Sequence, residues 1–313
     1  MKNQSVIGFL FALTAILLWA SLPLALQPVL QVMDPTTIVW YRFCAAAIGT
    51  FFILLLTKRL PKISAFSPKE RWLLLLGGIG LAGNFLLFNM SLRYIPAAVS
   101  QILSPLASFA MLMCGVLIFK ERIGLHQKLG FVIILVGFSL FFNDRFDDFA
   151  EFNQFTLGLV IGIFASLIWL CYGVAQKMLS DRFQSLQILL PIYILCAVFF
   201  MPYAEITSIE NLSKEQLTCL IYCCLNTIVA YGCYAEALRR WTVSNVSLMM
   251  TQIPVLTIIF SHIFFFVAPH IFMALELNLM SYIGAVIVVS GAVFSVIGHK
   301  WLYRRQLRKI NEL

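Results

Sequence analysis

Residues 8–25 read GFLFALTAILLWASLPLA, and residues 158–175 read GLVIGIFASLIWLCYGVA. A shift of 150 residues lays Gly8, Ala15, Leu17, Trp19 and Ala25 on Gly158, Ala165, Leu167, Trp169 and Ala175. Both stretches are apolar and belong to runs long enough for a membrane span, which needs about 20 residues. Two more echoes follow in the same order. A shift of 146 brings Leu92-Arg93 onto Leu238-Arg239, and a shift of 154 brings Gly130, Val132, Ile133 and Gly137 onto Gly284, Val286, Ile287 and Gly291. Each match is short, but three in order at nearly equal offsets describe one unit written twice.

Composition places that unit in a bilayer. Of 313 residues, 61% are hydrophobic and 12% charged, half the charge of an ordinary soluble domain. The apolar runs are longer than the roughly ten-residue alternating segments of a membrane β-barrel, so the chain reads as an all-α integral membrane protein. Ten spans are expected, over 6–26, 36–57, 71–90, 97–119, 127–143, 156–176, 185–203, 215–236, 243–268 and 278–299. Ser67-Pro68-Lys69-Glu70 and Ser213-Lys214-Glu215-Gln216 carry the capping pattern that starts a helix. With the N-terminus inside, 18 of the 22 Lys and Arg fall on the inner side, three (Arg93, Arg145, Lys214) on the outer, and Arg42 within a span. The positive-inside rule then places both termini in the cytoplasm and the acidic segment 144–151 outside, in a multi-pass protein of the cell inner membrane. The basic residues lie between apolar runs rather than on a soluble face, so the net charge of +8 does not indicate nucleic acid.

Five spans per half is an odd number, so the second half must be inverted relative to the first. The expected units are a five-helix repeat over 1–143, an acidic outer loop over 144–155, a second five-helix repeat over 156–299 and a basic tail over 300–313. The tail sets Tyr303, Leu307 and Ile310 on one stripe among basic residues, a pattern suited to an anionic inner leaflet. Inverted repeats are the usual architecture of secondary transporters, with substrate held between the halves near the midplane.

The stretches LLWASLPLA (17–25), DPTTIVWYRF (34–43), NFLLFNMSLRYIPAAVSQIL (84–103), FKERIGLHQKLGFVIILVG (119–137), ASLIWLCYGVAQK (165–177) and YAEALRRWTVSNVSLMMTQIPVL (234–256) resemble the drug/metabolite transporter superfamily, EamA type. The resemblance covers nearly the full chain. It implies a ten-helix carrier with a central cavity lined by both halves, of a kind that often exports amino acids or related metabolites. Lys120-Glu121 has no clean partner in the second half, where Glu276 matches only after an insertion.

Several residues stand out within spans. Arg42 is a permanent cation in TIVWYRFCAAAIGTFF (36–51), beside the small residues Ala45, Ala46 and Gly49. Such a strip faces other helices, so Arg42 points into the bundle, either to backbone carbonyls and the outer interface or to a substrate carboxylate that its fork suits. Trp19 and Trp169 sit mid-span at matched positions, as cavity walls or as packing inherited by duplication. Asn84, Tyr94 and Gln101 fall in the family-like stretch and are candidate substrate contacts; helix-to-helix polar packing is their alternative. Glu236 and His262 are candidates for proton coupling, although Glu236 and Arg240 stand at the spacing of a surface pair. Pro105 and Pro254 interrupt spans four and nine, as kinks or as breaks that expose backbone carbonyls.

Nothing in the chain suggests catalysis, a metal or a cofactor: the four His are scattered, and the eight Cys lie in apolar runs without metal-ligand spacing. No nucleotide motif is present, and no obligate protein partner is inferred. The expectation is a secondary transporter exporting a small amphipathic metabolite, with the lipid bilayer as its other partner. A membrane-embedded lipid flippase or lipid-modifying enzyme is the alternative reading.

Overall fold

The computed structural model describes residues 2–107, 124–241 and 243–311. The first half forms α1 (Lys2–Leu30), α2 (Pro35–Leu56), α3 (Pro68–Ser91), α4 (Ala97–Ile102) and α5 (Leu125–Phe141). After the short α6 (Phe146–Ala150), the second half forms α7 (Gln154–Leu179), α8 (Ser185–Phe200), α9 (Lys214–Arg240), α10 (Val243–Met250), α11 (Ile253–Val267) and α12 (Leu279–Asn311). Among the described residues, seven helices are long and apolar enough to cross a membrane, and three shorter apolar helices cover 97–107, 125–141 and 279–295. Residues 108–119 of the fourth expected span, with Lys120 and Glu121, lie outside the described residues.

The starts of these helices follow from local chemistry. Asp34 accepts from the backbone N–H groups of Thr36 and Thr37 at 2.8 and 3.0 Å, with Pro35 as the first helical residue. Ser67 and Glu70 close a reciprocal capping box, and Ser213 pairs likewise with Gln216 rather than Glu215. These contacts satisfy N–H groups that a helix start leaves open. The backbone of α12 continues without a break to Asn311, so the tail extends the tenth span instead of starting a separate helix. Its side chains lie outside the description.

The prolines act as breaks. The fourth span turns at Leu103, two residues before Pro105, and the ninth turns at Thr251–Gln252, two residues before Pro254. A proline has no N–H and clashes with the preceding turn, so both interruptions have the same cause at matched places in the two halves.

Helix pairing shows the repeat in three dimensions. The main partners are α1 with α9, α3 with α7, α2 with α8, α4 with α11, and α5 with α12. Exchanging the halves turns α1–α9 into α7–α3 and leaves the other three pairs unchanged, as a pseudo-two-fold axis requires. The α5–α12 pair lies on that axis and is closed by glycine. A Cβ on Gly137 would sit 3.0 Å from Gly284 O, and one on Gly130 2.7 Å from Gly291 O. Off the axis the halves solve one problem in two ways. A Cβ on Gly80 would lie 3.0 Å from Ile168 O, whereas the equivalent Asn226 donates Nδ2 to Leu18 O at 2.6 Å.

For orientation, the end holding Leu30, Pro35 and Arg93 is here the Arg93 end, and the opposite one the Pro68 end. The periphery is apolar, with Ile48, Val198, Phe199 and Phe266 exposed, as lipid contact demands.

Candidate functional site

Arg42 projects from α2 into the interior and is only 2% exposed. It lies seven residues past Pro35, about 10 Å along the helix. Its Nε donates to Thr227 Oγ1 on α9 at 3.0 Å. Its guanidinium carbon stands 4.2 Å from the centre of the Phe85 ring on α3. Among the described residues no carboxylate pairs with it and no acceptor meets either Nη. Moving a guanidinium into hydrocarbon costs at least ~2.5 kcal/mol. A desolvated cation–π contact returns about 2 kcal/mol, and a hydrogen bond from a charged donor about 1.5–3. The cation is therefore tolerated, with its fork left over.

Around it stands an aromatic layer contributed by both halves. Phe85 lies 5.9 Å from Tyr231. Tyr231 also meets Trp19 at 5.2 Å and Tyr172 at 5.8 Å, and Tyr172 meets Trp169 at 5.9 Å. Phe43, beside Arg42, stacks on Phe85 at 4.6 Å and leans on Tyr193 at 6.1 Å. The two matched tryptophans thus flank one tyrosine hub, and Arg42 reaches that hub through Phe85. The site is asymmetric: α8, the counterpart of α2, carries no charged residue.

The other candidates lie elsewhere. Asn84 donates Nδ2 to Ala165 O at 2.9 Å, fastening α3 to α7. Gln101 donates Nε2 to Trp19 O at 3.1 Å, fastening α4 to α1. Tyr94 is 37% exposed at the Arg93 end, on the wall of a cavity of about 430 Å³ that also touches Gln27, Gln31, Arg93 and Ser261. Between that vestibule and the aromatic layer, the Gln101–Trp19 contact and a 2.8 Å bond from Thr257 Oγ1 to Ala20 O tie α4 and α11 to α1. Glu236 pairs with Arg240 at 2.9 Å near the Pro68 end. The His262 ring bonds Tyr282 Oη at 2.8 Å at the exposed α11–α12 seam. Neither joins the Arg42 cluster.

Sequence reasoning missed Thr227, Tyr231 and Tyr234. With Cys223 they form a stripe on α9 at helical spacing, and the periodicity was the available signal. Phe85 was missed for a different reason, because a lone Phe in an apolar run carries no pattern.

Both halves of the chain match the EamA-like transporter family, over residues 6–143 and 156–297. The chain belongs to the EamA-like transporter family. An uncharacterized transporter of Haemophilus influenzae is 52% identical over 96% of this chain and 98% of its own. The uncharacterized inner membrane transporter YhbE of Escherichia coli K12 is 43% identical over 96% and 94%. A probable amino-acid metabolite efflux pump of Escherichia coli K12 is 21% identical over 93% and 95%. A solved crystal structure superposes with a TM-score of 0.65 at 20% identity, covering 94% of this chain and 96% of its own, which is a likeness of fold. This EamA-like chain is a multi-pass membrane transporter, and the Arg42 cluster lies where its two repeats meet.

Proposed function

We propose that this EamA-like transporter exports a small amphipathic metabolite bearing a carboxylate, such as an amino acid or a related compound. The substrate passes between the repeats, with its carboxylate on the two Nη groups of Arg42 and its apolar part against Phe85, Tyr231 and Trp19. One observation carries this reading: a buried cation with a free fork and no carboxylate of its own. The efflux pump among the relatives supports the substrate class and the outward direction. Both termini face the cytoplasm, so the 430 Å³ vestibule is the outer mouth. Trp169 closes the far wall of the hub, while Asn84 and Gln101 hold the helices that frame it. Coupling through Glu236 or His262 is not needed for facilitated diffusion or exchange.

The test is ligand stabilisation of the purified protein across a library of metabolites. A ligand at 100 times its dissociation constant raises folding stability by about 2.7 kcal/mol. Arg42→Lys keeps the charge and loses the fork, so it folds normally and binds carboxylates at least ~10-fold more weakly. An Arg42→Ala protein that binds the same carboxylate as tightly as the parent refutes the assignment.

A further inference from the structure

Arg42 is not the only polar group that the packed bundle leaves open. Among the described residues, the buried side-chain atoms without a hydrogen-bond partner are Asp34 Oδ2, Thr50 Oγ1, Gln176 Oε1, Asn226 Oδ1 and both amide atoms of Asn89. Asp34 uses its other oxygen to cap α2, and Asn226 uses its amide nitrogen on Leu18 O and the Tyr222 hydroxyl. Thr50 is also 0% exposed but offers a single hydroxyl, whereas Asn89 is 0% exposed with both the donor and the acceptor end of its amide unmatched. A buried amide in that state destabilises the fold, and an apolar side chain of the same size would not.

Its place on α3 sets the level in the bundle at which the amide lies. Leu81, Phe85 and Asn89 of α3, with Leu92 just past its end, form one buried stripe at helical spacing. Phe85, one turn before Asn89, is the ring under the Arg42 guanidinium. Helices α2 and α3 pack against each other and run in opposite directions. Side chains lean toward the N-terminus of their own helix. Arg42 therefore leans toward the Arg93 end and Asn89 leans back toward the level of Phe85, so the two approach the same level from opposite sides.

The two groups differ in what they accept. Arg42 is donor-only and satisfies a carboxylate, whereas the Asn89 amide offers one acceptor and two donors. A ligand with an ammonium or hydroxyl on the carbon next to its carboxylate needs such an acceptor. We propose that Asn89 is a specificity residue of the transport site, reading the α-amino or α-hydroxyl substituent of a carboxylate held by Arg42. The proposal rests on the carboxylate reading of Arg42 given above.

The test uses full-length protein in nanodiscs, titrated with L-phenylalanine and with 3-phenylpropanoate, which keeps ring and carboxylate and lacks the amino group. The readout is the shift of the unfolding midpoint with ligand concentration. The parent binds L-phenylalanine at least ~10-fold more tightly, as expected for a hydrogen bond to a charged group. Asn89→Leu brings that ratio to near one, leaves 3-phenylpropanoate affinity unchanged and melts no lower than the parent without ligand. A residue that only held helices together would instead melt lower and keep the ratio, and that result overturns the proposal. Asn89→Asp gives a second reading: its carboxylate pairs with the free nitrogens of Arg42, so neither compound binds. Arg42→Lys separates the two ideas, because it weakens both compounds together. If Arg42→Lys changes neither affinity, the carboxylate reading fails; if only the Asn89→Leu ratio persists, Asn89 alone is refuted. A parent that binds neither compound overturns the proposal.

Discussion

The α5–α12 seam gives the sharpest test of the packing. A Cβ built on Gly284 would lie 2.4 Å from Phe141 N, 2.7 Å from Gly137 O and 2.8 Å from Phe141 Cα. All three are backbone atoms, so no side-chain rotation relieves the clash. Ordinary contact between carbon atoms is about 3.5–4.0 Å, and Gly284→Ala must push the helices apart by about 1 Å. Overpacking of this kind costs about 1–3 kcal/mol, against a gain of about 1 kcal/mol from replacing a mid-helix glycine by alanine. Gly232 on α9 supplies the control, because its nearest neighbour would be Leu186 Cδ2 at 4.0 Å. Gly232→Ala keeps only the propensity gain and stabilises. The assay is unfolding of the purified protein in mild detergent by a denaturant titration, with the two variants and the parent side by side. Gly284→Ala unfolding at or above the midpoint of Gly232→Ala would show that the close approach on the axis is not real.

Two further outcomes follow from placement. Reporter fusions at Asp148 and Arg305 should report opposite sides of the membrane, Asp148 outside and Arg305 inside; the same side for both contradicts the inverted ten-span arrangement. Glu236→Gln should retain flux within about twofold of the parent in reconstituted vesicles without sodium, because Glu236 forms a half-buried i,i+4 helical pair with Arg240 away from the Arg42 cluster, of small energetic weight. Flux that vanishes in the variant, or in the parent once sodium is removed, refutes uncoupled transport.

How legible the site was differs from residue to residue. Arg42 stood out in the sequence because a permanent charge within a span has few allowed places, all of them facing protein. Trp19 and Trp169 stood out because duplication set them at matched positions, and the structure brings both to one tyrosine hub. Asn84 and Gln101 were chosen for their residue type and their place in the family-like stretch beside Tyr94, and neither tells a free amide from one bonded to a carbonyl. Asn89 was visible as polar in the same stretch, yet its distinguishing property is a lack of partners in three dimensions.

The sequence by itself determined the membrane class, the helical spans and the duplication, because each depends on local information: apolar run length, capping residues and the spacing of repeated letters. It also gave the glycine sets of spans five and ten as counterparts. Only the tertiary structure decided that those sets touch, Gly137 on Gly284 and Gly130 on Gly291. Gly130 corresponds to Gly284 and Gly137 to Gly291, so the two contacts exchange when the halves are swapped. Equivalent helices pack together only where the symmetry axis runs between them, and no property of one helix reveals where that axis runs. The same holds for Arg42. Its burial cost was written in its own chemistry, while its partners, Phe85 on the next helix α3 and Thr227 on α9 of the other half, were fixed by how the helices pack.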